Sequence, residues 1–76
     1  MNSFERARNN IKAYHRNLPE KKIEEMTVFQ LINYTHPTDR EGIAQSFYNE
    51  GYIKLIDLKR YEKEYKKWQK DSKQGI

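Results

Sequence analysis

The sequence predicts an all-α fold: a small bundle of three to four short helices in a single domain over residues 1–76. Three observations predict it. Apolar side chains recur at helical spacing at both ends of the chain, at Phe4, Ala7, Ile11, Tyr14 and Leu18 and again at Leu58, Tyr61, Tyr65 and Trp68. Two polar pairs with capping-box spacing, Thr27 with Gln30 and Thr38 with Glu41, each precede an apolar run. Only Tyr52–Ile56 has strand-like composition, and it has no partner strand in the chain.

The elements follow in order. Ser3 is placed to cap a first helix beginning near Phe4, which Asn17-Leu18-Pro19 stops. Pro19 suits a first helical position, and Glu20 suits a helix N-terminus. The short segment to Met26, expected either as a separate turn of helix or as running into the Thr27 helix, offers Ile23 and Met26 to the core. Thr27 and Gln30 open a helix carrying Val28, Phe29, Leu31 and Ile32. Pro37 disfavours helical geometry at His36, so this helix ends near Thr35. Thr38 and Glu41 open the next, with Ile43, Ala44, Phe47 and Tyr48 on one side. Gly51 is placed as its C-cap, because glycine adopts positive φ without a Cβ clash. Tyr52–Ile56 is expected to be an extended connection, or a strand pairing with a second copy. Asp57 is expected to cap a last helix from Leu58 to about Lys70, with Glu62 and Lys66 as an i,i+4 pair and the tail from Ser72 to Ile76 frayed.

A chain of 76 residues buries roughly 60% of its unfolded surface, so its core has to be small. The aromatic residues supply much of it: six Tyr, three Phe and one Trp. The absence of cysteine excludes disulfides and thiolate metal sites. No apolar run approaches the roughly 20 residues of a membrane span, and the N-terminus lacks the pattern of a signal peptide, so a cytoplasmic location is expected. Frequent Lys, Asn, Ile and Tyr with little Gly or Ala match the codon usage of AT-rich genomes, as in low-GC bacteria and their phages.

Charge is distributed unevenly. Residues 1–22 carry six Lys/Arg and two Asp/Glu. Residues 23–53 reverse the balance, with Arg40 alone against Glu24, Glu25, Asp39, Glu41 and Glu50. Residues 54–76 return to eight Lys/Arg against four Asp/Glu. A basic chain with an acidic centre differs from a uniformly basic nucleic-acid binder.

Catalytic chemistry finds no motif. His15 and His36 stand far apart, and there is no phosphate-binding glycine loop, zinc-protease helix or nucleophile elbow. His15 reads as an exposed helix residue and His36 as a turn residue before proline. No catalytic, cofactor-binding or metal-binding residue is assigned, and a non-enzymatic protein without a cofactor is expected. The five central carboxylates, Glu24, Glu25, Asp39, Glu41 and Glu50, are the candidate partner-binding set, since clustered acids can occupy a basic DNA-binding surface on another protein. Leu58, Tyr61, Tyr65 and Trp68 are the candidate self-association stripe, with a homodimer expected. Lys59, Arg60, Lys63, Lys66, Lys67 and Lys70 are the alternative nucleic-acid contact, as are Arg6, Arg8, Lys12 and Arg16 of the first helix.

Two resemblances bear on function. Two short helices, a glycine, an extended piece and a basic final helix resemble the layout of small excisionase-type winged-helix proteins, over about forty residues. That implies DNA binding, although a recognition helix opening Asp39-Arg40-Glu41 would meet phosphates with acid. Gln30-Leu31-Ile32-Asn33-Tyr34 partly resembles the glutamine-leucine-aromatic peptide that binds bacterial sliding clamps, with Asn33 where that peptide prefers leucine. The leading expectation is a small regulatory or inhibitory protein, phage- or mobile-element-like, that binds a host protein of DNA replication or transcription. The alternative is a DNA-binding regulator of the excisionase type using its basic terminal helices.

Overall fold

Five helices form around one hydrophobic core in the computed structural model, which describes residues 2–74, with side chains through Asp71. They are α1 (Ser3–Tyr14), α2 (Glu20–Glu24), α3 (Val28–Tyr34), α4 (Pro37–Asn49) and α5 (Leu55–Gln74). There is no strand among the described residues. The all-α expectation holds, with the five-residue α2 as the additional helix. The last two residues of the expected frayed tail lie outside the described residues; the helix itself continues past Ser72 to Gln74.

Local signals explain most of the boundaries. The Thr27 capping box is complete: Thr27 Oγ1 accepts from the Gln30 amide at 3.3 Å, and Gln30 Oε1 accepts from the Thr27 amide at 3.0 Å. Thr27→Ala is expected to lower stability by about 1 kcal/mol, read as a shift in chemical denaturation midpoint; an unchanged midpoint would mean that water serves the freed amides equally well. At the other end of α4, Gly51 adopts φ 86°. The Gly51 amide donates to the Tyr48 carbonyl at 3.0 Å and the Tyr52 amide to the Phe47 carbonyl at 2.9 Å. These are the two hydrogen bonds of a Schellman motif, and the Phe47 and Tyr52 rings supply its apolar contact at 6.0 Å.

Other boundaries differ from the sequence expectation. The cap of α1 is Asn2, whose Oδ1 accepts from the Glu5 amide at 2.9 Å, while Ser3 is the first helical residue and buried. Helix α1 ends at Tyr14, and Leu18 packs on the core from the turn that follows. Pro19 is the N-cap of α2 and Glu20 its first residue. Helix α4 starts at Pro37 with His36 as cap, so the expected Thr38–Glu41 box does not form; His36 Nδ1 accepts from the Thr38 amide at 3.2 Å. Pro37 favours this register because its fixed φ and missing N–H suit the first helical position. Helix α5 begins at Leu55, so Leu55 and Ile56 are helical rather than extended and only Tyr52–Lys54 is irregular. Asp57 does not cap from outside; it sits in the first turn, where its Oδ2 accepts from the Lys54 amide at 3.2 Å.

Helix α4 is central and packs on α1, α3 and α5. The core gathers Ala7, Ile11, Ile23, Leu31, Ile32, Ile43, Ala44, Phe47, Ile53, Leu58 and Tyr61, with Phe4, Leu18, Met26, Val28 and Tyr48 partly buried against it. Burial raises the Tyr61 phenol above its ordinary value, with the nearby Arg60 charge opposing. A raised value means that the unfolded chain ionises first. The contribution of Tyr61 is therefore intact below about pH 10 and lost as pH rises through the folded-state value. Tyr61→Phe is expected to flatten the alkaline fall in melting temperature relative to wild type. Parallel wild-type and variant profiles would remove Tyr61 as its cause.

Candidate functional site

The helical register sorts the side chains of α5 by chemistry. At about 100° per residue, Lys59, Arg60, Lys63, Lys66, Lys67 and Lys70 fall within an arc of about 120°. Leu58, Tyr61, Tyr65 and Trp68 lie on the opposite side. The acids Asp57, Glu62, Glu64 and Asp71 occupy the two margins between these faces. All six basic residues are exposed. They cover about 17 Å of helix axis, roughly one positive charge per 3 Å.

These cations are almost uncompensated. Among the described residues, Arg60 is the only one of the six in an ion pair, to Asp57 Oδ1 at 3.5 Å. The Glu62–Lys66 pair expected from spacing is not formed. The basic residues of α1 are differently placed. Arg6 Nη1 donates to Ser46 Oγ at 3.0 Å, the Arg8 guanidinium lies 5.7 Å from the centre of the Phe4 ring, and Lys12 Nζ meets Glu20 Oε1 at 2.7 Å. That hydrogen bond, aided by the lysine charge, holds the Glu20 carboxyl below its ordinary range. The three candidate cations on α1 therefore serve contacts within the fold, whereas Arg16, expected on the same helix, lies in the turn after it and has no hydrogen bond or ion pair among the described residues.

The acidic set does not converge. Glu24 ends α2 and Glu25 follows it, beside a groove lined by Leu18, Lys22, Met26, Gln30 and Tyr34. Asp39 and Glu41 stand about 200° apart around α4, and Glu50, at the far end of that helix, is about 16 Å along the axis from Asp39. Asp39 Oδ2 is also engaged, accepting from Asn10 Nδ2 at 2.8 Å. The self-association stripe divides in two. Leu58 and Tyr61 are each only 3% exposed and belong to the core. Tyr65 and Trp68 are half-buried and line a cavity of about 40 Å³ with Pro37, Arg40, Tyr61 and Glu64.

Three features escaped sequence reasoning. Asn10 holds the α3–α4 corner: its Oδ1 accepts from the His36 amide at 2.9 Å while its Nδ2 reaches Asp39. Arg40 reaches back from α4 to the end of α3, donating through Nη2 to the carbonyls of Asn33 and Thr35 at 3.0 and 2.9 Å. The two histidines, far apart in sequence, both pack on Tyr14, with ring centroids 4.5 Å away for His15 and 4.6 Å for His36. Beside them runs an open groove lined by Asn10, Ala13, Tyr14, His36, Thr38 and Asp39.

Among the described residues, no group of three or more His, Cys, Asp or Glu side chains is placed to hold a metal ion, and no helix is long and apolar enough to cross a membrane. Comparison with protein-family models, with curated proteins and with solved structures found no significant match.

Proposed function

We propose that this chain is a small non-enzymatic regulatory protein that binds nucleic acid through the outer face of α5. The observation that carries this reading is the exposed row of six cations on the side of α5 opposite Leu58, Tyr61, Tyr65 and Trp68, five of them outside any ion pair among the described residues, with Arg60 also lying 5.8 Å from the centre of the Tyr61 ring. Phosphates along one nucleic-acid strand repeat at about 3.4 Å, close to the axial density of these charges, and their neutralisation supplies sequence-independent affinity. The acids on the margins of α5 flank the row without interrupting it. In this reading α5 takes the role that basic terminal helices would have in an excisionase-type regulator, and α4 serves as its support. A cytoplasmic location fits such a ligand. Tyr65 and Trp68 are where a second copy would add its own row of cations.

A second reading keeps the host protein of replication or transcription as the partner. Its support is the exposed apolar surface, chiefly Tyr52, Leu55 and Ile56 at 51%, 48% and 75% exposure. Dispersal of Glu24, Glu25, Asp39, Glu41 and Glu50 leaves the acidic centre less suited to be the contact in that reading.

The deciding measurement is fluorescence anisotropy of labelled duplex at several salt concentrations. Two variants are compared: Lys63, Lys66 and Lys67 to alanine, and Glu24, Glu41 and Glu50 to lysine. Loss of binding in the first with retention in the second is expected. The opposite order would overturn the nucleic-acid reading and return the acidic surface to the front.

A further inference from the structure

The outer face of α5 does not begin with its cations. Leu55 and Ile56 open the helix and fall on the same side as the basic row, at about −40° and +60° from Lys59. They are 48% and 75% exposed, and neither contributes to the core. Lys54 stands immediately before them, and Lys59 and Arg60 follow one turn later, so this apolar pair has exposed positive charge on both sides. Tyr52, 51% exposed, adjoins it and is held edge-on by Phe4 at 4.9 Å and by Phe47 at 6.0 Å. Three of the exposed large apolar side chains thus lie within five residues, at the head of the most basic surface of the molecule.

An anionic partner that also presents apolar surface between its charges is the complement of such a face. Nucleic acid has this composition, with stacked bases between two lines of phosphate. Single strands are bound mainly by aromatic platforms on which bases stack. The pair here is aliphatic, and the neighbouring tyrosine is fixed in T-shaped contacts. Aliphatic side chains act instead as wedges between the base steps of a duplex, partly unstacking them and kinking the DNA so that it meets more protein surface. A wedge needs positive charge on either side to hold the bent phosphates, and Lys54 on one side with Lys59 and Arg60 on the other provides it.

We propose that Leu55 and Ile56 form a wedge that enters duplex DNA at a deformable base step and bends it toward the cations of α5. This rests on the nucleic-acid reading above and adds to it the form of the ligand and its distortion. Steps such as TA and CA/TG unstack at least cost, whereas A-tracts resist. The protein therefore prefers a duplex with a central TA or CA step over one with a central A-tract, without base-specific hydrogen bonds.

The test uses the full chain and duplexes of about 30 base pairs carrying fluorophores at both ends for energy transfer. Wild type is expected to raise transfer on the TA-step duplex and to bind it about tenfold more tightly than the A-tract duplex, the spread expected for one unfavourable step. The Leu55→Ala, Ile56→Ala double variant is expected to lose both the bend and the preference while keeping the salt dependence of binding. Both positions are exposed, so circular dichroism should match wild type. Salt-dependent binding by wild type without any change in transfer would overturn the wedge and leave the function standing. No salt-dependent duplex binding at all would overturn both. A double variant that bends DNA as wild type does, but no longer binds vesicles containing phosphatidylserine, would assign the pair to a lipid surface and overturn the wedge.

Discussion

Replacing Lys63, Lys66 and Lys67 with alanine is expected to weaken duplex binding roughly 10²–10³-fold at about 0.1 M salt. Each lysine on a phosphate releases close to one counterion, so the logarithm of affinity falls with the logarithm of salt by about 0.9 per contact. Three lost contacts flatten that slope by about 2.7, and near 0.1 M salt each is worth a factor of about eight. The three positions lie mid-row on a face with no core contact, and alanine keeps helix propensity, so melting temperature should be unchanged. The salt slope is the discriminating quantity. If the row is only a solvated surface, wild type shows a slope near zero and the variant matches it. If the ligand is a protein recognised mainly by apolar contact, affinity falls but the slope barely moves. Binding lost along with helicity would indicate unfolding instead, and a circular dichroism spectrum of the variant separates that case.

The fold was legible where its signals are local. The Thr27 box needs two side chains three residues apart, and the α4 terminus needs a glycine after an apolar run. Both could be read from adjacent residues. The misplaced caps share a cause: two residues near each boundary could do the same work. Asn2 and Ser3 are both good caps, and burial of Ser3 decides between them. Thr38 has the better reputation as a cap than His36, but Pro37 fixes the helix start one residue after the histidine. Asp57 can satisfy first-turn amides from outside the helix or from within, and the spacing alone does not say which.

The candidate site was legible by residue but not by arrangement. The six cations of α5 could be named from the sequence together with the stripe they oppose. That they stand almost free of carboxylates is a matter of side-chain placement, as is the internal use of Arg6, Arg8 and Lys12. Grouping the five central acids by their position in the chain treated nearness in sequence as nearness in space. Helical geometry separates Asp39 from Glu41 although one residue lies between them. Asn10 and Arg40 carry no sequence signal, because each acts across elements: Asn10 ties α1 to the α3–α4 corner, and Arg40 on α4 ties back to the end of α3.

The largest effect on stability is expected at Phe47. Its ring is fully buried, 5.1 Å from Phe4 in edge-to-face contact and 6.0 Å from Tyr52, and its carbonyl accepts the Tyr52 amide in the turn that launches α5. One side chain therefore joins α1, α4 and the entry to the helix that carries the proposed contact face. Phe→Ala in a core costs about 3–5 kcal/mol in lost transfer energy and cavity. A chain of 76 residues has a total stability of about 4–11 kcal/mol. Phe47→Ala should therefore leave a protein that is marginally folded or unfolded at room temperature, with melting lowered by at least about 12 °C. Phe29→Ala is the control, an aromatic of the same size that is 41% exposed on α3, and as a surface change it should cost only about 0.5 kcal/mol. Thermal melts followed by circular dichroism measure both. Equal shifts for the two variants would mean that the Phe4–Phe47–Tyr52 cluster does not organise the core, and that α5 is held by its Leu58–Tyr61 contacts alone.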